Sequence, residues 1–337
     1  MSDTDDAADG GATPSTRAEA RRVAQESSFQ THVRQARTDF EQHIEKARAD
    51  FEQANERINE RSGRNLLSAI AIGVLIGAAV LASLLFVKWL FLLFAIPAVL
   101  LGIYEFVRAL QASGRRVDVV PHLIGGLLIL LAAFFYGHWT HWVITYAVVA
   151  ALIVIRLVAQ MAARNGRRYG DVLADALVAG FVPLYVPLLA SLALVLLRQE
   201  QGELWVLAMV AIAVAADTGA YAAGVAFGRH PMAPRISPKK TWEGFAGAAL
   251  AAAVVAVLLG ILMLHIPWWA ALLFGVAILG SATIGDLGES MIKRDLGIKD
   301  MSSALPGHGG VLDRLDSILP STVPALALYF LFFPMAV

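Results

Sequence analysis

Most of the side chains that could do chemistry in this sequence lie between residues 285 and 316. Carboxylates, a hydroxyl and two cations recur there at intervals of three or four residues: Asp286, Glu289, Ser290, Lys293 and Arg294. If residues 285–295 are helical, this spacing predicts that all five share one face. Asp313 and Asp316, also three residues apart, follow beyond a Pro-Gly-His-Gly-Gly segment. The stretch therefore predicts two groups of carboxylates on separate helices, with cations beside them.

Carboxylates and cations in this arrangement suit phosphate chemistry. Two carboxylates from separate helices can hold Mg²⁺ and still leave coordination positions for water and a polyphosphate. Lys and Arg next to them can bind further phosphate oxygens and offset charge in a transition state. The glycines of residues 306–310 allow the backbone to come close to a ligand. The sequence has no Gly-x-x-x-x-Gly-Lys-Ser/Thr, which excludes a P-loop as the nucleotide site.

A second cationic segment, residues 228–244, precedes this stretch. Its four cations, which include Lys239 and Lys240, and its three prolines predict a stiff loop suited to phosphate oxygens. A cytoplasmic loop of a membrane protein carries cations for its orientation alone. Thr241 and Glu243 could also simply cap the helix that follows. The order of residues Ser-Pro-Lys-Lys-Thr-Trp-Glu-Gly goes beyond what orientation needs.

Ionisable residues inside apolar segments are costly and usually have a reason. Asp217 lies among Ala and Val residues, and we favour a functional role for it over a carboxylate that is merely satisfied by a neighbouring helix. Glu105, Arg108 and Arg156 lie near the predicted ends of their segments. For these three, contact with the membrane surface or a structural ion pair is the better interpretation, and Asp175 is a candidate partner.

The composition excludes an ordinary soluble enzyme. Of 337 residues, 58% are hydrophobic and 16% are charged, and the mean hydropathy is +0.64, whereas soluble domains carry about a quarter charged residues. The chain has no cysteine, which excludes disulfides, Cys-zinc sites, iron–sulfur clusters and thiol catalysis.

The apolar segments predict an all-α, polytopic integral membrane protein, because about 20 apolar residues span a bilayer. We predict nine membrane helices, at about 65–87, 89–110, 121–138, 141–162, 172–197, 204–227, 242–264, 267–285 and 317–336. Lys and Arg concentrate in alternate loops. By the positive-inside rule this alternation places the N-terminus and every basic loop in the cytoplasm and the C-terminus outside, in the cytoplasmic membrane of a cell. Residues 65–337 form the predicted transmembrane catalytic domain.

Residues 1–64 form a predicted cytoplasmic tail. The first 16 residues are rich in Asp, Ala, Gly, Ser and Thr and are expected to be disordered. From about Glu19 onward, apolar residues at steps of three and four predict an amphipathic helix, with a near repeat of eleven residues that keeps the stripe on one side. This helix could mediate self-association or docking on a partner or lipid surface, or it could be a solvated spacer.

The chemistry-bearing stretch resembles the signature of the phosphatidate cytidylyltransferases, also called CDP-diacylglycerol synthases. The matching pattern is Ser290-x-x-Lys293-Arg294-x4-Lys299-Asp300, followed by Leu305-Pro306-x-His308-Gly309-Gly310-x-x-Asp313-Arg314-x-Asp316. The segments Asp217–Tyr221 and Ser237–Gly244 are similar to the family in a less specific way. The resemblance covers roughly residues 207–316, and nothing about the tail follows from it.

The resemblance implies an integral membrane enzyme that joins CTP and phosphatidic acid into CDP-diacylglycerol and pyrophosphate. It also implies Mg²⁺, together with K⁺ as a second metal, and a homodimer in the lipid bilayer; no nucleic acid partner is expected. Asp286 and Asp313 match the metal-binding positions. We assign the catalytic phosphate contacts to Lys293 and Arg294, and support of the metal ligands or a further metal contact to Asp316. The expected substrate contacts are Ser290, His308, Lys239, Lys240, Arg314 and Asp217.

Three other functions could share parts of this pattern. A membrane transferase for polyprenyl phosphates or nucleotide sugars would also need Asp, Mg²⁺ and a basic loop. A transporter would also have many helices and intramembrane charges, but the two halves show no repeat, and the polar residues cluster late in the sequence. A scaffold would depend chiefly on the tail. The nucleophile of the cytidylyltransferase, an anionic phosphate, needs no strong general base, which agrees with a site of cations and carboxylates.

Overall fold

The structure, a computed structural model, describes residues 77–163, 168–302 and 309–335. The tail of residues 1–64, with its predicted amphipathic helix, and the predicted substrate contact His308 lie outside these ranges. In chain order the helices are α1 (Gly77–Phe86), α2 (Lys88–Ala112), α3 (Val119–Phe135), α4 (His138–Ala162), α5 (Tyr169–Pro183), α6 (Leu189–Leu197), α7 (Gly202–Phe227), α8 (Trp242–Leu262), α9 (Trp268–Asp295), α10 (Leu312–Leu315) and α11 (Ile318–Phe332).

Seven segments within the described ranges are long and apolar enough to cross a membrane: 88–112, 138–162, 169–197, 202–227, 242–262, 268–295 and 312–335. The prediction of an integral membrane protein built of helices is therefore confirmed in its coarse form. The first and third of the nine predicted spans correspond to the shorter helices α1 and α3. With 17 residues, α3 is about 26 Å long, less than the roughly 30 Å of a hydrocarbon core.

The fifth predicted span contains a local change of helix type. Residues Leu184–Leu188 form a π-helical turn that joins α5 to α6 without a break. Pro183 precedes this turn and Pro187 lies within it, and each removes one backbone donor from the helical ladder. The wider turn lets the chain continue in the same direction while its side chains change register.

The predicted loop of residues 228–244 forms a β-hairpin, which qualifies the all-α prediction. Strand β1 (Pro231–Ala233) pairs antiparallel with β2 (Ser237–Thr241), and Pro231 lies opposite Thr241. The hairpin joins the end of α7 to the start of α8. The predicted cap of α8 is confirmed, because the Thr241 hydroxyl accepts a hydrogen bond from the Gly244 amide at 3.1 Å.

Close packing of α7 against α8 fixes the base of this hairpin. A β-carbon at Gly219 would lie 2.6 Å from the Gly247 carbonyl oxygen, and one at Gly247 would lie 2.6 Å from the Gly219 carbonyl oxygen. Helices in membranes associate through such small residues, because the bilayer supplies no hydrophobic driving force between them. Glycine at both positions therefore lets the two backbones touch.

The buried apolar side chains form two main clusters. One joins α7, α8 and α9 and includes Trp205, Met209 and Phe274; the other joins α2, α3, the π-helical turn and α6 and includes Ile103 and Phe106. Helix α11 contributes to both, with Tyr329 in the first and Leu319 in the second. The start of α11, and the short α10 before it, therefore lie where the two clusters meet.

Candidate active site

A cavity of about 430 Å³ opens at the end of the bundle where α7 and α9 end and α8 and α11 begin. Its walls are apolar residues of α7, α8 and α9, such as Ala216, Phe245 and Leu279. The charged side chains in its lining are Asp217, Lys239, Lys240, Asp286, Asp313, Arg314 and Asp316. Four carboxylates and three cations that are far apart in the sequence thus share one cavity.

Asp286 lies on α9, which runs through to Asp295 and so confirms the helix predicted for residues 285–295. The Lys240 ammonium, delivered by β2, contacts the Asp286 carboxylate in an ion pair. The Ser290 hydroxyl, one turn further along α9, lies 3.5 Å from the other Asp286 oxygen. Asp286 is about 29% exposed, so its carboxylate faces the cavity while the hairpin and α9 hold it.

Asp313 lies on α10 and is held by three groups. The Lys293 ammonium donates to it at 2.9 Å, the Gly310 amide at 2.8 Å and the Met301 amide at 3.0 Å. Gly309 has a positive φ of 82°, which glycine adopts without steric cost, so the chain can turn back and bring the Gly310 amide to the carboxylate. The charge and orientation of Asp313 are therefore set by its surroundings.

Glu105 on α2 binds the same segment from the other side. This carboxylate is 2% exposed and accepts hydrogen bonds from the Ser302 hydroxyl at 2.5 Å, the Val311 amide at 3.0 Å and the Leu312 amide at 2.9 Å. A carboxylate at the first turn of a helix satisfies amides that have no partner within the helix. Within the described residues Glu105 thus anchors α10 through donors other than a cation, contrary to the predicted surface contact or ion pair.

Gly310 is required where these two carboxylates meet. A β-carbon there would lie 2.8 Å from the nearer Glu105 oxygen and 3.1 Å from the nearer Asp313 oxygen. Any side chain at this position would push apart the two groups that hold the start of α10. The last glycine of the predicted glycine-rich segment is therefore explained by the packing of protein groups on both sides.

Asp316 and Glu289 lie side by side between α9 and the start of α11. Gly285 makes this approach possible, because a β-carbon there would collide with the Asp316 carbonyl oxygen and with Pro320. The Asp316 carboxylate accepts the Ser317 amide at 2.6 Å. Glu289 is fully buried, with 0% exposure, and the Lys293 ammonium lies 3.5 Å from one of its oxygens. Lys293 therefore lies between Glu289 and Asp313.

Asp217 faces the cavity from α7, in the middle of an apolar helix. The Ser317 hydroxyl lies 3.5 Å from its carboxylate, which links α7 to the start of α11 across 100 residues of sequence. This location at the cavity supports the functional interpretation of Asp217, which stays a prediction. Ser317 is not among the predicted site residues, because a serine next to an aspartate has no distinctive sequence pattern.

Two charged side chains, those of Glu243 and Arg294, hold the hairpin at the cavity. The Glu243 carboxylate accepts the amides of Arg229 and His230 at 3.1 and 3.2 Å, and it contacts the His230 ring at 2.5 Å. Arg294, at the end of α9, donates from Nε to the Ile236 carbonyl oxygen at 3.4 Å. Glu243 therefore ties the two ends of the hairpin together, and Arg294 contacts its turn.

Other charged residues serve the fold away from the cavity. Arg156 forms an ion pair with Asp118 at 3.2 Å, which confirms the structural role predicted for it. The Asp175 carboxylate accepts the Gln160 side-chain amide at 2.8 Å and the Arg116 backbone amide at 3.1 Å. Asp175 therefore joins α4 to α5 and to the segment that follows α2.

The donors around the cavity suit a hard cation bound through few protein ligands. Among the residues that the structure describes, no three His, Cys, Asp or Glu side chains are grouped as a ready-made metal site. Mg²⁺ is commonly bound through only one or two carboxylates, with water and substrate phosphates as the other ligands. Asp286 and Asp313, whose carboxylates line the same cavity, have the right chemistry for this mode of binding.

Comparison with known sequences identifies the family. The profile of the cytidylyltransferase family matches residues 67–333. The chain belongs to the cytidylyltransferase family. The matched range contains Glu105, the hairpin and every predicted site residue from Asp217 to Asp316, so the cavity described above is part of the family domain.

Individual members of this family are similar over most of the chain. A phosphatidate cytidylyltransferase from Mycobacterium bovis is 38% identical over 278 residues, which cover 79% of this chain and 88% of that protein. The Mycobacterium leprae protein of the same name is 38% identical over 284 residues, with the same two shares. A chloroplastic phosphatidate cytidylyltransferase 5 from Arabidopsis thaliana is 45% identical over 122 residues, or 34% of this chain and 30% of that protein.

Proposed function

We propose that this protein is a phosphatidate cytidylyltransferase, which transfers CMP from CTP to phosphatidic acid and releases pyrophosphate. The observation that carries the proposal is the similarity to cytidylyltransferases of this name over 79% of the chain. The cavity supports it independently, because cations and carboxylates meet there beside apolar walls at one end of a helical membrane bundle. A phospholipid and a nucleoside triphosphate need a surface that combines apolar and charged groups.

The reaction is a substitution at the α-phosphorus of CTP. An oxygen of the phosphatidate headgroup forms the new bond to this phosphorus, and the bond from the α-phosphorus to the oxygen that leaves with the β-phosphate breaks. The nucleophile is already an anion at neutral pH, so the protein has no proton to remove from it. Its task is to align the two phosphates and to neutralise the charge that gathers on them.

Asp286 and Asp313 are the residues that would hold Mg²⁺. The fully buried Glu289 and the neighbouring Asp316 add two further carboxylates, while Lys240 and Lys293 are the cations in contact with this group. A divalent cation at Asp286 and Asp313 would add to the positive charge that Lys240 and Lys293 bring to these two carboxylates. When bound, the metal ion would neutralise phosphate oxygens of CTP.

The cations have separate tasks in this proposal. Lys239 and Lys240 on β2 and Arg314 on α10 line the cavity from two sides, where they would bind phosphate oxygens of the two substrates. Lys293, held between Glu289 and Asp313, would bind the phosphate at which the reaction takes place. Arg294 contacts the hairpin turn and would bind phosphate from the same face of α9 as Lys293. Ser290, Asp217 and His308 remain predicted substrate contacts.

The proposal also includes features of the whole enzyme. A second cation, K⁺, would accompany Mg²⁺, and the enzyme would be a homodimer in the cytoplasmic membrane. The N-terminus and the cavity would face the cytoplasm, where CTP is available, and the C-terminus would lie outside. The alternation of basic loops in the sequence supports this orientation.

The test is the complete reaction with purified full-length protein. With Mg²⁺, phosphatidic acid and labelled CTP we expect CDP-diacylglycerol and pyrophosphate in equal amounts, and no product without Mg²⁺. Replacing phosphatidic acid by a polyprenyl alcohol or a polyprenyl phosphate should give no labelled lipid. Labelled product from a polyprenyl substrate alone would indicate the rival transferase. Uptake of substrate into proteoliposomes without chemical turnover would indicate a transporter.

A further inference from the structure

Glu289 is a buried carboxylate whose position packing alone does not explain. It lies inside the bundle with 0% exposure, and neither of its oxygens accepts from a donor group of the described residues; the carboxyl group within hydrogen-bond reach is that of Asp316. Its ion-pair contact is with Lys293, 3.5 Å away and one helical turn further along α9. A buried carboxylate without hydrogen bonds is strongly unfavourable, so a role in the site is the better explanation for an acid here.

The neighbour of Glu289 is a second carboxylate, that of Asp316. Two carboxyl groups this close are stable when they share a proton in a hydrogen bond or when cations and donors surround them. Lys293 supplies one such group, but its ammonium gives its close hydrogen bond to Asp313, at 2.9 Å. The pair of Glu289 and Asp316 therefore receives no close hydrogen bond from Lys293, and a further donor would fix its orientation.

Tyr185 carries a hydrogen-bond donor near these carboxylates. Its hydroxyl oxygen is buried and has no hydrogen-bond partner in the described part of the chain. It lies within electrostatic range of the carboxylates of Glu289, Asp316 and Asp286. A buried tyrosine hydroxyl normally has a partner, and the charged groups near this one are acceptors.

The fold holds the Tyr185 ring firmly. Tyr185 lies in the π-helical turn between α5 and α6. Its ring stacks on Phe181 at 5.4 Å and 11°, and it meets Phe106 edge to face at 5.8 Å. A single π-helical turn shifts the register of the side chains and occurs frequently at functional sites. The turn thus holds a hydroxyl between aromatic rings of α2 and α5 and near the carboxylates.

We propose that Tyr185 and Glu289 act together as positioning residues for Lys293 and Asp316. The Tyr185 hydroxyl, which makes no direct hydrogen bond to a described residue, would donate to the paired carboxylates through a bridging water and so fix their orientation. Glu289 then holds the Lys293 ammonium from the side opposite Asp313. A lysine has four rotatable bonds in its stem and three donors on its ammonium, so two fixed acceptors restrict it far more than one. This inference rests on the proposed function, because Lys293 is assigned to the reacting phosphate.

The experiment compares Tyr185→Phe, Glu289→Gln and the double variant with the wild-type protein in the full reaction. Matched controls are Tyr329→Phe and Glu203→Gln at the opposite end of the bundle. The Tyr329 hydroxyl donates to the Glu200 carbonyl oxygen at 3.0 Å, and Glu203 pairs with Lys88 at 2.9 Å. The measurements are kcat, the KM values for CTP and phosphatidic acid, and the unfolding midpoint in detergent.

We expect Tyr185→Phe to lower kcat about tenfold, the effect of one hydrogen bond made in the transition state. We expect Glu289→Gln to lower kcat by roughly 10- to 100-fold, as for other groups that orient a reactive residue. Both KM values should stay within about twofold of wild type, because these variants do not change how tightly the substrates bind before the reaction. The double variant should be no slower than Glu289→Gln, because the two residues act as one unit. The controls should keep wild-type kcat.

Three results would overturn the inference while the wild-type protein is active. One is a normal kcat in both single variants. Another is a double variant in which the two losses multiply, which would mean that the residues act independently. The third is a loss of kcat that follows the unfolding midpoint equally in test and control variants. Wild-type protein that forms no CDP-diacylglycerol would overturn the proposed function, and this inference with it.

Discussion

At the scale of single residues, the site is defined by how each carboxylate is held. Asp286 is contacted by Lys240 from the hairpin and faces the cavity, whereas Asp313 receives Lys293 and two backbone amides. Hydrogen bonds to a carboxylate favour its ionised form, so Asp313 is prepared to bind cations. Asp286 is the more exposed of the two, at 29% against 9%.

Asp313→Asn tests the metal assignment at this scale. Asparagine has the same size but lacks the negative charge that Mg²⁺ and Lys293 require, so CDP-diacylglycerol formation should fall by at least roughly a hundredfold at saturating Mg²⁺. The measurement is pyrophosphate release by purified protein, with the unfolding midpoint in detergent as a check on folding. The control is Asp295→Asn at the exposed end of α9, which should retain activity. Near-normal turnover of Asp313→Asn with Mg²⁺ would remove Asp313 from the metal site.

At the scale of the elements, three connections bring the catalytic segments together. The glycine contact between α7 and α8 sets the base of the hairpin, and the hairpin carries Lys240 to α9. Gly285 lets α9 approach the start of α11. Glu105 ties α2 to the segment that contains α10, across 197 to 207 positions of sequence. Each connection relies on a small residue or a buried charge.

Glu105→Gln tests the third connection. Glutamine offers one carbonyl oxygen in place of two charged acceptors, and its amide group would face backbone donors. A hydrogen bond to a charged group contributes about 1.5–3 kcal/mol, so we expect a lower unfolding midpoint in detergent. Activity should also fall, by about tenfold, because α10 carries Asp313.

The control for this prediction is Arg108→Gln, on the same helix. Arg108 is exposed and bonds to Gln111 at 3.1 Å, so its loss should change neither the midpoint nor the activity. If Glu105→Gln kept both at wild-type values, Glu105 would have no part in holding α10.

At the scale of the whole molecule, the cavity lies where two apolar clusters meet. Helix α11 packs into both, and α10 and the start of α11 present Asp313 and Asp316 at their common end. Groups of opposite charge are therefore supported by rigid helices on two sides. This is the arrangement that alignment of two phosphates requires, since a small displacement of a catalytic group is costly.

Deletion of residues 1–60 tests whether the membrane domain is sufficient for the reaction. The family profile begins at residue 67, and every charged residue that lines the cavity lies at position 217 or beyond. We therefore expect the shortened protein to keep its activity within about twofold, as is usual when a removed terminus carries no site residue. The assay is CDP-diacylglycerol formation in vesicles, with the full-length protein alongside. Loss of activity in a folded shortened protein would favour the hypothesis that the tail is essential.

Much of the site could be predicted from the sequence, because its residues are close together on one helix. Periodicity placed Asp286, Glu289, Ser290 and Lys293 on one face of α9, and helix geometry alone fixes that relation. The same holds for the separation of Asp313 from Asp316. The membrane character of the chain also followed from its composition, since a bilayer admits long apolar helices whose backbone groups are paired internally.

Only the tertiary structure decided which distant residues meet these groups. Glu105, Tyr185 and Asp217 are polar residues within apolar segments. No periodicity of the sequence relates their positions to α10 or to Asp316. The sequence of the hairpin predicts a loop, because its prolines and cations are not typical of strands. Contacts between separate membrane helices depend on where glycines let backbones touch and on which side chains must share a buried charge. Those constraints act through space, so local sequence carries no record of them.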